Sequence, residues 1–214
     1  MSLLLRDQLL AAMSRPEAGT RLIVAPLLDA EQVGGGTIDL RLGTEFIESR
    51  RWTEAGIDPL ELSGEDVSRS ARSEEGVFVS LGAEFVLHPG QFVLGATLEF
   101  VRLPSDISGQ VVGRSSWGRL GLIVATAVVV QPGFAGVLTL ELVNTGNVPI
   151  HLYPGLRVAQ LQLWKADAPT TLPISDRVKY AVPLGPESVH LAWDSSEVGR
   201  IKTIGGQLEG GNGP

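Results

Sequence analysis

The chain has 214 residues, 43% of them hydrophobic and 19% charged, with a mean hydropathy of +0.18. That supplies one domain with a sizeable core and excludes intrinsic disorder. A formal net charge of -7 and the absence of cysteine exclude the basic stripe of a general nucleic-acid binder, disulfides, thiolate nucleophiles and thiolate metal sites.

The N-terminus, MSLLLRDQLLAAM, lacks the basic start and long apolar core of a signal peptide. Apolar residues recur at helical spacing over residues 3–14, with Arg6, Asp7 and Gln8 on the other side, and predict a short helix ended by Pro16. Strand-like segments follow at 37–43, 76–81, 84–90, 91–104, 109–114, 121–133, 136–144, 148–155 and 157–165. They are rich in Val, Leu, Ile and Phe and are separated by Gly, Pro, Asn and Asp, which predicts an all-β sandwich or barrel. Residues 46–75 are polar and read as a long excursion. The Gly-rich residues 203–214 (TIGGQLEGGNGP) read as a loose tail, which leaves 1–202 as a single domain. No apolar run reaches the roughly 18 residues of a membrane span. A soluble, cytoplasmic protein with no membrane or nucleic-acid partner is therefore expected.

Three pieces in the middle carry chemistry. The first is GRSSWGRLGL, residues 113–122. Gly113 and Gly118 let backbone approach closely, Arg114 offers a planar fork of donors, and Ser115 and Ser116 add hydroxyls. This is either a turn capped by serines or a cradle for a phosphate. The second is GVLTLELVN, residues 136–144. Alternation puts Leu138, Leu140 and Leu142 on one face and Val137, Thr139, Glu141 and Val143 on the other. Glu141 belongs either to a wet sheet face or to a half-buried site, where a carboxylate with a raised pKa suits proton transfer. Arg119 is its candidate partner. The third is TAVVVQPGFAG, residues 126–136, where an apolar strand runs into a Gln131-Pro132-Gly133 turn. The three histidines, His88, His151 and His190, form no ligand-spaced pattern and read as packing or surface residues. Trp52, Trp117, Trp164 and Trp193 read as core or interface residues.

These pieces together resemble the dCTP deaminase branch of the dUTPase superfamily. The resemblance runs through RDQLL, GGTIDLRLG (35–43), the long stretch 85–122, ATAVVVQPGFAGVLTLELVN (125–144) and NVPIHLYPGLRVAQL (147–161). It implies a mainly β fold, a distorted jelly-roll-type β-barrel with a short N-terminal helix, and a homotrimer with active sites between neighbouring subunits. It also implies dCTP as substrate, Mg2+ held mainly by the substrate phosphates with no protein metal ligands, and binding of dTTP or dUTP. By the same resemblance, Arg114, Ser115 and Ser116 contact the triphosphate, Glu141 is the general base, Arg119 assists it, and Ala127 positions the pyrimidine and the water. Gln160 has a counterpart at the pocket edge, and Lys179 and Tyr180 match a pair that folds over the triphosphate. Zinc is not expected, because the zinc deaminases hold their metal with cysteine.

The chain departs from the family at three places. Val130-Gln131 stands where relatives carry Ile-Asp, and Gln131 can bond a sugar hydroxyl but cannot act as a base. Val128 and Val129 stand where relatives carry His-Arg or Gly-Phe, which changes the pocket floor. Pro183 stands where relatives place a glutamine, and it has neither a side-chain donor nor a backbone N–H. The expected activity is hydrolytic deamination of dCTP to dUTP and ammonia. The alternatives are a deoxynucleotide diphosphatase (a dUTPase or a bifunctional deaminase-dUTPase), which Gln131 disfavours, and a catalytically degenerate nucleotide-binding trimer.

Overall fold

The N-terminal apolar repeat folds as α1 (Arg6–Met13), which buries Leu9 and Ala12. Gln8 turns back to accept a hydrogen bond from the Leu5 N–H at 2.9 Å, satisfying one of the orphan donors of the first turn. The helix is shorter than the expected 3–14 because Ser2–Leu3 (β1) is extended instead and pairs with residues 164–165 at a sheet edge. A computed structural model of the chain describes residues 2–49, 74–125, 129–169, 183–187 and 203. Residues 50–73 of the polar excursion, Ala127, Val128, Lys179, Tyr180, His190, Trp52, Trp193 and all of the tail but Thr203 lie outside the described residues, while the two ends of the excursion, 46–49 and 74–75, are strand rather than loop.

The strands are β2 (Ile23–Ala25), β3 (Ile38–Ser49), β4 (Glu74–Phe78), β5 (Phe85–Leu87), β6 (Phe92–Arg102), β7 (Ile107–Gly113), β8 (Leu122–Val124), β9 (Val129–Val130), β10 (Ala135–Asn144), β11 (Ile150–Leu152) and β12 (Arg157–Lys165). A short helix, α2 (Ser115–Gly118), lies between β7 and β8. The mainly β class read from the sequence holds. The single apolar segment 121–133 resolves into two strands with different partners, β8 on β10 and β9 on β7.

The main sheet runs β8-β10-β6-β3-β12-β7-β9, with β1 added on β12 and β2 on β6. Its two end strands, β8 and β9, are neighbours in sequence. The link between Val124 and Val129 spans at most roughly 17 Å. The sheet therefore curls until its ends approach each other, the half-barrel form of the expected barrel. Its inner face is apolar: Ile38, Leu40, Leu42, Leu140, Leu142, Leu161 and Leu163 are all fully buried. Phe46 and Phe85 stack at 4.6 Å between ring centroids, within the range of favourable aromatic pairs. The chain divides into two compact units, one over Met1–Glu48 and Gly76–Glu187, the other over Ser49–Glu75 and Ser188–Pro214. The functional residues described below belong to the first.

Candidate functional site

Strand β10 has the alternation its sequence predicts. Leu138, Leu140 and Leu142 are buried, while Val137, Thr139, Glu141 and Val143 are half-buried on the other face. Glu141 sits opposite Leu94 of β6 on one side. On the other side its carbonyl accepts the Ala125 N–H at 2.8 Å. The register continues through Leu142 opposite Val124 and Asn144 opposite Leu122. Glu141 therefore stands where the link from β8 to β9 begins. The end of β10 is fixed by Asn144, buried, whose side-chain amide donates to the carbonyls of Leu87 at 2.9 Å and Val148 at 2.8 Å.

The GRSS stretch forms the end of β7 and the turn of α2. Arg114 caps α2 with extended backbone, and its N–H donates to the Val158 carbonyl at 3.2 Å. Ser115 and Ser116 are exposed. Trp117 packs against the core, and its indole N–H donates to the Arg157 carbonyl at 2.8 Å, a contact within the chain that ties α2 to β12. Gly121 then takes φ 93°, and a side chain there would meet the Gly146 backbone at 2.8 Å. Only glycine allows this close approach of the two turns.

The Arg114 guanidinium is not isolated. It faces Asp39 of β3 at 3.3 Å. Asp39 also accepts from Arg157 at 3.2 Å and from the Gln160 amide at 2.9 Å. These residues meet because β12 lies between β3 and β7, with Gln160 in register with Asp39 on one side and with Val112 on the other. Two residues expected at the site, Arg114 and Gln160, are thus brought to one carboxylate. Gln160 uses its amide N–H groups on Asp39 and, at 3.2 Å, on Thr37. Behind the cluster, Gln32 bridges the Asp39 carbonyl at 2.9 Å and Glu99 at 2.7 Å. Burial pushes the Glu99 carboxyl up, against the hydrogen bonds it accepts from Arg41 and Gln32. Sequence reading missed Asp39 and Arg157, although both fall in the matched segments GGTIDLRLG and GLRVAQL.

Arg119 is exposed at the end of α2. Ala125 is the residue beside Glu141, and Arg119 precedes it by six positions and the Gly121 turn. The Gln131-Pro132-Gly133 turn forms as expected: the Phe134 N–H donates to the Gln131 carbonyl at 3.1 Å, Gly133 takes φ 82°, and Gln131 is exposed. Pro183 is buried against β10, where its carbonyl accepts the Val137 N–H at 2.8 Å. The Glu187 N–H reaches the Thr139 hydroxyl at 3.2 Å. His151 lies away from these groups, exposed and paired with Glu84 at 2.8 Å. No group of three or more His, Cys, Asp or Glu placed to hold a metal occurs among the described residues, and no described helix is long and apolar enough to cross a membrane.

A family model described as dCTP deaminase-like matches residues 4–166. The dUMP-forming dCTP deaminase of Dictyoglomus thermophilum is 41% identical over 178 residues, covering 81% of this chain and 89% of that protein. The dCTP deaminase of Natronomonas pharaonis is 41% identical over 177 residues, covering 81% and 88%. Among solved structures, the 2'-deoxycytidine 5'-triphosphate deaminase from Agrobacterium tumefaciens aligns with a TM-score of 0.55 at 25% identity. That alignment covers 75% of this chain and 47% of the other, so the chain spans about half the length of that structure.

Proposed function

The chain belongs to the dCTP deaminase-like family, and from that membership we propose that it hydrolyses dCTP to dUTP and ammonia with Glu141 as general base. The observation that carries this reading is the position of Glu141: a half-buried carboxylate between Leu140 and Leu142, beside the segment that holds Ala127. Glu141 takes a proton from water as the oxygen attacks C4 of the cytosine. That proton passes to N3, which gains the electron pair of the N3=C4 bond; the proton of the new C4 hydroxyl then moves by way of Glu141 to the exocyclic nitrogen, the C4–N bond breaks, and ammonia leaves as the carbonyl of uracil forms. Arg114, Ser115 and Ser116 hold the triphosphate by charge-assisted hydrogen bonds, with Gln131 on the sugar and Lys179 and Tyr180 over the phosphates. A cradle of cation and hydroxyls fits a phosphate chain that brings its own Mg2+, an ion that keeps most of its waters and needs few protein ligands.

By family membership the proposed active form is a homotrimer, in which Arg119 of one copy reaches Glu141 of another.

Relatives of equal identity differ in product: the Dictyoglomus protein is named dUMP-forming and the Natronomonas protein is not. Gln131 favours dUTP here, because its amide cannot deprotonate the water that would cleave the phosphate chain. Incubation with dCTP and Mg2+ is expected to release one ammonia per dUTP with no pyrophosphate. Stoichiometric pyrophosphate and dUMP would establish the dUMP-forming reaction instead, and nucleotide binding without ammonia would establish a degenerate site.

A further inference from the structure

We infer that Asp39 positions the phosphate-binding Arg114, and that Arg157 is the standing counter-ion that lets Asp39 release Arg114 to a nucleotide triphosphate. The inference rests on the proposed role of Arg114. Asp39 has a side chain only 10% exposed, so a lost counter-ion there would leave a poorly solvated charge. Its Oδ1 accepts from Gln160 at 2.9 Å, and its Oδ2 accepts from Arg157 at 3.2 Å. Arg114 shares that second oxygen at 3.3 Å. Arg157 is anchored by its other nitrogen to Asp29 at 2.9 Å. Asp29 also takes Arg41 at 2.6 Å, and Arg41 donates again to the Gly155 carbonyl at 2.9 Å.

Three guanidiniums, Arg41, Arg114 and Arg157, pair directly with two carboxylates, Asp29 and Asp39, while Glu31 acts on Arg157 and Glu99 accepts the Arg41 backbone N–H. Of the three side chains Arg114 is the most exposed, at 32% against 27% for Arg157 and 13% for Arg41. It is also the loosest, an ion pair within the cluster, whereas Arg41 and Arg157 make hydrogen bonds there. Arg114 is therefore the guanidinium that the cluster holds least and presents outward. When its donors turn to a phosphate, Asp39 keeps Arg157 and Gln160 and is not stranded. As a guanidinium, Arg157 stays charged at any working pH and so serves as a standing counter-ion.

Steady-state kinetics of the full-length protein with dCTP test this, with inorganic triphosphate as a competitor that reads the phosphate subsite alone. D39N and R157Q are each expected to raise KM for dCTP about tenfold, the scale of coupling between contacting residues, and to weaken inhibition by triphosphate in the same proportion. In both variants kcat stays within about twofold, since the group at the reacting carbon is untouched. R157Q in the D39N background adds less than about twofold, because Arg157 acts through Asp39. Unchanged KM and triphosphate inhibition in either single variant overturns the inference. Additive effects of D39N and R157Q also overturn it, since they would mean that Arg157 supplies only bulk positive charge. If D39N fails to fold, as read by its thermal melt, R157Q decides alone: its side chain is partly exposed, and unchanged triphosphate inhibition refutes the inference. A wild-type protein that releases no ammonia from dCTP refutes the proposed function separately.

Discussion

At the scale of single residues, ionisable groups do most of the specifying. Arg15, just past α1, forks onto both oxygens of Asp106 at 2.9 Å and joins the helix end to the turn before β7. This hydrogen bonding holds Asp106 below its usual range. A carboxyl depressed in the folded state stabilises the fold above its unfolded value, about 3.9, and loses that contribution as pH falls through the lower folded value. D106N is therefore expected to lower stability by about 0.5–1 kcal/mol at pH 7, the scale of a partly exposed pair. The difference from wild type begins to shrink as pH falls below about 3.9 and vanishes only below the lower folded value, and urea melts at pH 7 and in a series descending to about pH 2 check it. The cluster around Asp39 shows what a sequence hides at this scale. Arg114 stood out because it sits between glycine and serines. Asp39 did not, because it looks like any polar residue in an alternating strand. Its partner Arg157 is 118 residues away, and only the order β3-β12-β7 brings them together.

At the scale of elements, period-2 alternation was legible wherever one face is buried. β10 and β12 follow their sequences, and β10 places Glu141 on the half-buried face. An unbroken apolar run carries no mark of a change of partner, so 121–133 read as one segment although β8 and β9 pair with different strands. β2 escaped notice because three residues are too few to show a period. The edge of β10 carries a further constraint. Gly136 takes φ 157°, and a side chain there would come within 2.5 Å of the Pro183 ring. G136A is therefore expected to displace Pro183 and free the Val137 N–H from its carbonyl. Hydrogen exchange at Val137 should accelerate by at least about tenfold as that local contact opens. Exchange at the wild-type rate would show that Pro183 does not depend on the glycine.

At the scale of the whole molecule, the fold class and the family were readable from one sequence, because GRSS, the PG turn and the LEL strand keep fixed spacing. The assembly was not, because nothing in the strand pattern of one chain marks a surface that meets another copy. Ammonia release from dCTP by E141Q, by R119A and by the two variants refolded together tests this account most directly. Each variant alone is expected to lose at least about a hundredfold in rate, the scale of general acid-base catalysis, while still binding dCTP. The mixture is expected to recover about a quarter of wild-type activity, because half of the sites receive an intact Glu141 and half of those an intact Arg119 from the neighbouring copy. Full activity in E141Q alone, or a mixture as inactive as its parts, would contradict it.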